Sequence, residues 1–127
     1  MTADAKTGAG KRVLVVEDES MIRLLLDGIL TDLGYTMAAE AGRLDEALTV
    51  AKQGEFDVAI LDINLNGQPI TPVVEVLLER GVPFVFASGY GRRGMPDAYS
   101  RIPMLQKPFQ VEALARALAA VAPKTAD

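Results

Sequence analysis

Three short stretches of the chain are apolar without interruption: Val13-Leu14-Val15-Val16, Val58-Ala59-Ile60-Leu61 and Val82-Pro83-Phe84-Val85-Phe86-Ala87. Runs of this length, rich in β-branched and aromatic residues, predict strands buried on both faces of a parallel sheet. Thr36 to Ala39 and Pro103 to Gln106 are weaker candidates for two more strands. Elsewhere the spacing is helical: Ile22, Leu25, Leu26, Ile29 and Leu33, then Leu44, Ala47, Leu48 and Ala51, then Val111, Leu114, Ala115 and Leu118. Thr71-Pro72 opens a further helix, since a first turn tolerates the missing N–H of proline. Gly34, Gly54 and Gly81 each stand between a helical stretch and a strand, where left-handed C-terminal caps are expected. The alternation predicts an α/β fold, a doubly wound five-stranded parallel sheet with four or five helices on its two faces. Residues 1–11 and 123–127 lack periodicity and are expected to be flexible arms around one domain at 12–122.

Open sheets of this kind take ligands at the carboxyl ends of their strands. The first strand runs into Glu17, Asp18 and Glu19; the third ends on Asp62; the fourth ends on Ser88; Lys107-Pro108 follows the fifth. Together Glu17, Asp18 and Asp62 would place as many as three carboxylates within a few ångströms, where like charges repel unless a cation intervenes. Mg²⁺ is suited to this, because it takes oxygen ligands and needs only one or two protein carboxylates beside a substrate phosphate. The backbone carbonyl of Asn64 could add a ligand. Lys107 and Ser88 offer the donors that phosphoryl oxygens need, so the set reads as a phosphoryl-transfer site with a carboxylate nucleophile. Taken singly the same residues have plainer readings: Asp18 or Ser20 as the cap of the helix carrying Ile22, and Lys107-Pro108 or Ser88-Gly89 as turns.

Composition narrows the chemistry further. At 127 residues the chain is long enough for one core, with half of its residues hydrophobic and about a quarter charged, as in a globular protein. A net charge of −4 argues against a sequence-independent grip on nucleic acid. No apolar run approaches the ~20 residues of a membrane span and no signal peptide is apparent, so a cytoplasmic location is expected. There is no cysteine and no histidine. Thiol and Ser-His-Asp catalysis are thereby excluded, as are histidine-ligated metals, and carboxylates and oxygen ligands must carry any chemistry.

Val13 to Glu19, Asp57 to Asp62, Ala87-Ser88 and Gln106-Lys107-Pro108-Phe109 resemble, in order, the four signatures of response-regulator receiver domains, over about residues 12 to 122. The resemblance implies a sheet in the order 2-1-3-4-5 with five helices. It assigns Glu17 and Asp18 to the acidic metal-binding pair, Asp62 to the phosphoacceptor, Asn64 to a carbonyl ligand of Mg²⁺ (or Mn²⁺), Ser88 to the switch hydroxyl and Lys107 to the phosphate-pairing lysine. It further implies a phosphodonor, either a histidine kinase or a histidine phosphotransfer protein, and a downstream protein target. The chain would be a switch that catalyses only its own phosphorylation and dephosphorylation. With no output domain in view, its signal would leave by protein contact or onward transfer. A small Mg²⁺-dependent aspartyl-phosphate phosphatase and a phosphorylation-independent scaffold are the alternatives.

Two departures from the family pattern stand out. The loop after Asp62 reads Asn64-Leu65-Asn66-Gly67-Gln68-Pro69, where most receivers have a proline and then a glycine, so a different loop shape is expected. The family's switch aromatic is replaced by Met104, while Phe86-Ala87-Ser88-Gly89 resembles a subset of single-domain receivers and offers Tyr90 as a substitute. Gly89 to Gly94 also spells G-x-G-x-x-G, but after the wrong strand and without the acidic residue that a dinucleotide site requires. Its glycines, with Pro96, predict a short or mobile fourth helix, with Arg92 and Arg93 solvated.

Overall fold

The computed structural model of the chain describes residues 10–89 and 99–121. Its elements in order are β1 (Arg12–Val16), α1 (Ser20–Asp32), β2 (Thr36–Ala41), α2 (Leu44–Gln53), β3 (Val58–Asp62), β4 (Asn64–Leu65), β5 (Gln68–Pro69), α3 (Thr71–Arg80), β6 (Phe84–Ser88), β7 (Met104–Gln106) and α4 (Val111–Val121). The main sheet is five-stranded and parallel, in the order β2-β1-β3-β6-β7. Counted among the sheet strands alone this is the expected 2-1-3-4-5. β4 and β5 form a separate two-stranded hairpin between β3 and α3.

Strict alternation along the central strands divides the core. Leu14, Val16, Ala59, Leu61, Phe84 and Phe86 face Ala47 and Ala51 of α2 and Val73, Val74 and Leu77 of α3. Val13, Val15, Val58, Ile60, Val85 and Ala87 face Leu26 and Leu30 of α1 and Leu114 and Leu118 of α4. Both faces of β1, β3 and β6 are covered, which is why those strands read as unbroken apolar runs. β2 is an edge strand with mostly half-buried or exposed positions, and its pattern is correspondingly weaker.

Helix ends depart from expectation in an instructive way. Gly34 and Gly81 do take positive φ, 91° and 73°. Tyr35 N–H then reaches the Leu30 carbonyl at 2.8 Å and Val82 N–H the Leu77 carbonyl at 2.9 Å, closing both helices. Gly54 does not: its φ is −76° and ψ 164°. α2 is closed from outside instead, by Arg80 of α3, whose Nη1 donates to the carbonyls of Ala51 at 2.5 Å and Gly54 at 2.9 Å while its guanidinium lies over the Phe56 ring. Glycine is needed at position 54 for space, since a Cβ would sit 2.8 Å from the Val50 carbonyl and 3.0 Å from the Phe56 ring. Helical spacing also assigned Leu25 to the core, but Leu25 is 51% exposed and the buried residues of α1 are Leu26 and Leu30.

Gly10 and Lys11, expected in the N-terminal arm, bond into the fold: Gly10 N–H to the Gly34 carbonyl at 2.7 Å and the Lys11 carbonyl to Thr36 N–H at 2.9 Å. The rest of both expected arms lies outside the described residues, as do Tyr90 and most of the segment expected to hold a fourth helix. Among the described residues there are four helices, none long and apolar enough to cross a membrane.

The two glycines at opposite ends of this logic make a paired prediction. Gly28 lies exposed inside α1 with nothing within 4 Å of an added Cβ, so Gly28→Ala is expected to stabilise by about 1 kcal/mol. Gly81→Ala should destabilise by about 1 kcal/mol, because alanine must then adopt a left-handed φ. Urea unfolding of the two variants checks both signs.

Candidate functional site

β1, β3 and β6 lie side by side with their carboxyl ends level, because Val16 is in register with Leu61 and Asp62 with Ala87. Glu17 follows β1 directly and is 1% exposed; Asp62 is the last residue of β3 at 6%; Ser88 closes β6 at 1%. The carboxylates of Glu17, Asp18 and Asp62 each have an oxygen within 4.8 Å of the others. Lys107, just past β7, puts its Nζ 2.6 Å from Glu17 Oε1 and 3.0 Å from Asp62 Oδ2. Its backbone N–H is anchored at 3.0 Å on the Ser88 carbonyl, which ties the lysine to the β6 end.

Two acidic side chains buried this close to each other require compensation. Burial pushes the Glu17 carboxyl above its ordinary value of 4.5, and the charge of Asp62 adds to this, while the hydrogen bonds from Lys107 and from Glu19 N–H oppose it. Burial alone would depress Lys107, but the hydrogen bonds to Glu17 and Asp62 outweigh it and hold the ammonium above its ordinary 10.5. The lysine is therefore firmly cationic and neutralises one of three negative charges.

The remaining hydrogen bonds aim the carboxylates. Glu17 Oε2 accepts from Glu19 N–H at 3.1 Å and Asp62 Oδ1 from Asn64 N–H at 3.1 Å. Asp18 Oδ2 accepts from Asn66 N–H at 2.9 Å. The capping reading of Asp18 and Ser20 gives way here: the N-cap of α1 is Glu19, with no side-chain cap, and the Asp18 carboxylate turns across to the loop after β3. That loop forms a tight hairpin. Asn66 and Gly67 both have positive φ, 54° and 81°, the requirement of a tight hairpin turn, and Asn64 Oδ1 braces it by accepting from Gly67 N–H at 2.7 Å. Across the hairpin Asn64 pairs with Pro69, which has no N–H to offer its carbonyl.

Glu17, Asp18, Asp62 and Lys107 thus converge, with Asn64 and Ser88 adjoining in sequence and register. Met104 stands two positions before the end of β7, half-buried and paired with Phe86, whose ring lies 5.5 Å from Phe84 and 6.2 Å from Tyr99. Sequence reasoning missed Asn66, Arg23 and Gly42, which hold the loops of this site. For Asn66 a signal existed, the Asn-Gly pair of a hairpin turn. For Arg23 and Gly42 no local pattern points to their contact.

Residues 13–119 match the family model of the response regulator receiver domain. The chain belongs to that family. Among solved structures, SdrG from Sphingomonas melonis Fr1 is 39% identical and superposes with a TM-score of 0.79 over 89% of this chain and 97% of SdrG. The transcriptional regulatory protein PdtaR of Mycobacterium tuberculosis is 30% identical over 121 residues, 92% of this chain but 59% of PdtaR. The receiver chain thus spans about three-fifths of that relative's length. The chemotaxis protein CheY of Thermotoga maritima is 30% identical over 116 residues, 86% of this chain and 95% of CheY. A receiver of two-component signalling is therefore established by sequence and fold together; this speaks against the phosphatase alternative.

Proposed function

We propose that this receiver is a phosphorylation switch whose phosphoacceptor is Asp62. The observation that carries the reading is the Lys107 ammonium lodged between buried Glu17 and Asp62, with Asp18 beside them, at the carboxyl ends of adjacent strands. An Asp62 carboxylate oxygen attacks the phosphorus of the donor. The P–N bond of a phosphohistidine, or the P–O bond of a small acyl phosphate, breaks, and the leaving group keeps the electron pair. The product is an acyl phosphate, which water later hydrolyses to carboxylate and phosphate. Lys107 stabilises a phosphoryl oxygen by a charge-assisted hydrogen bond, exchanging its present contact with Asp62 for one with the phosphate. The Ser88 hydroxyl serves a second phosphoryl oxygen and is the first element of the switch.

The donor set fits a hard divalent cation: three carboxylates within 4.8 Å bring more negative charge than one lysine balances. Asp18, Asp62 and the Asn64 carbonyl would hold Mg²⁺, with Glu17 behind them. When bound, the ion supplies neutralisation of the phosphoryl charge. SdrG has also been solved in a BeF3-activated conformation, at 40% identity to this chain, which supports beryllofluoride as a phosphoryl mimic here.

Residues 12–122 form the receiver unit in this reading, acting in the cytoplasm, and Tyr90 and Met104 remain the candidates for relaying the switch. The donor is a histidine kinase or a histidine phosphotransfer protein. Met21, Leu24 and Leu25, on one face of α1 immediately beyond Asp18, are 73%, 65% and 51% exposed. A protein donor bringing a phosphohistidine to Asp62 must cover the surface bordering the site, and this apolar strip is what it would bury. Leu24→Glu is expected to slow transfer from a protein donor at least tenfold while leaving uptake from acetyl phosphate unchanged; equal slowing with both donors would remove the strip from recognition.

The reading is tested by incubating the chain with acetyl phosphate and following intact mass. One phosphate is expected with Mg²⁺ and almost none with EDTA. Turnover of an exogenous phosphoester would indicate a phosphatase, and no uptake under any condition would indicate a scaffold.

A further inference from the structure

Arg23 is a charged residue on α1, six positions after Glu17, yet only 20% of its side chain is exposed. Its Nη1 donates to the Glu17 backbone carbonyl at 2.5 Å and its Nε to Glu40 Oε1 of β2 at 2.8 Å. The guanidinium closes on Gly42 with its Nη1 end, where a Cβ would stand 2.7 Å from Nη1. Gly42 in turn accepts from Asn66 Nδ2 at 3.4 Å, and Asn66 N–H holds the Asp18 carboxylate at 2.9 Å. The circuit closes on itself: Glu17 carbonyl, Arg23, Gly42, Asn66 and Asp18 join the loops after β1, β2 and β3.

We propose that Arg23 is a positioning residue for phosphoryl transfer, fixing the Glu17–Asp18 peptide plane so that the Asp18 carboxylate faces Asp62, and that Gly42 is glycine to admit it. The carbonyl that Arg23 holds belongs to the peptide linking the two acidic residues. Rotation of that plane swings the Asp18 Cα–Cβ bond, and with it one of the three carboxylates. The preceding peptide is already tied, because Glu17 N–H donates to the Ala41 carbonyl at 3.0 Å. With the N–H and the carbonyl of Glu17 both held, the acidic pair enters the site with its direction set. Groups that orient ligating carboxylates in this way are commonly worth about 10–100-fold in metal affinity or activity. A planar fork is required because one nitrogen must reach a carbonyl while another holds a carboxylate, which a lysine ammonium on a flexible stem does less well.

The inference rests on the phosphoacceptor reading, and its test separates the two. Arg23→Met, Gly42→Ala and the double variant are compared with the wild-type chain for Mg²⁺ affinity, for the rate of phosphate uptake from acetyl phosphate and for urea stability. Gly42→Ala retains every other side chain and displaces only the far end of a flexible one, so it should fold. Each single variant is expected to lower Mg²⁺ affinity or uptake rate about tenfold. The double variant should be no worse than Arg23→Met, since alanine at position 42 has nothing left to displace, and Arg23→Lys should restore little. Additive losses in the double variant, or unchanged uptake and affinity in Arg23→Met, would overturn the proposal. If the wild-type chain takes no phosphate, the phosphoacceptor reading fails by itself, while the Mg²⁺ affinities still report on Arg23.

Discussion

Asp62→Asn is expected to take up no phosphate from acetyl phosphate in the presence of Mg²⁺, against one per chain in the wild type. The amide keeps the shape of the side chain and can still accept from Asn64 N–H, now at 3.1 Å to Asp62 Oδ1. What it loses is the anionic oxygen that attacks phosphorus and the carboxyl that forms the acyl phosphate. The fold should survive the change, because Lys107 retains Glu17 at 2.6 Å and one of the facing negative charges is gone. Removal of that charge should also let Glu17, raised chiefly by burial and further by Asp62, titrate at lower pH than in the wild type. Asp57→Asn provides the control. Asp57 precedes β3 at its other end, where it accepts from Arg12 N–H at 2.7 Å, and its replacement should leave uptake intact. Intact-mass measurement of the two variants decides the matter: equal labelling of Asp62→Asn would place the nucleophile elsewhere.

How much of this was legible in the chain depends on the range over which each feature is encoded. β1, β3 and β6 could be read because both their faces are buried, so that Leu14 and Val15 are apolar for opposite sides of the same sheet. Once the strands were placed, their carboxyl ends named Glu17, Asp18, Asp62 and Ser88 without further information. The spacing of α1 was misread at Leu25 because apolar residues on an exposed face imitate core positions. Local spacing cannot say whether an apolar stripe is covered by its own domain. Gly54 was misread for a related reason: the closure of α2 comes from Arg80, a residue 26 positions away, and the glycine answers to the Val50 carbonyl and the Phe56 ring. The contact of Lys107 with Asp62 spans 45 positions and that of Asn66 with Asp18 spans 48. Such pairs leave no periodic trace. The two acidic residues were visible as a cluster, but the devices that aim them, Arg23 against Gly42 and the positive-φ turn at Asn66-Gly67, emerge only when three loops are brought together.

The lysine at the centre of the site should betray its double role when it is removed. In Lys107→Ala, Glu17 and Asp62, 1% and 6% exposed, face each other with Asp18 close by and no cation among them. Breaking a buried ion pair on one side costs about 3–5 kcal/mol. The low end is expected here, about 3 kcal/mol in EDTA, because Glu17 can take up a proton instead of remaining charged. The sign of the pH dependence follows from that. The Glu17 carboxyl is already held above its ordinary 4.5, and losing the hydrogen bond from Lys107 raises it further. Between 4.5 and the raised folded value the native state binds more protons than the unfolded chain. Stability in EDTA should therefore fall as pH rises through that window and recover on acidification. Mg²⁺ should rescue the variant more than the wild type, since the cation no longer competes with an ammonium; at a hundredfold excess over its Kd, linkage supplies about 2.7 kcal/mol. Phosphate uptake should nevertheless stay about a hundredfold slower with Mg²⁺ present, because the donor to the phosphoryl oxygen is gone. Urea unfolding with and without Mg²⁺, beside uptake rates on the same samples, separates the two roles. A variant as stable as the wild type in EDTA would mean that Lys107 does not compensate the buried carboxylates. A variant rescued in stability and in uptake alike would mean that it compensates charge and does nothing for the phosphoryl group.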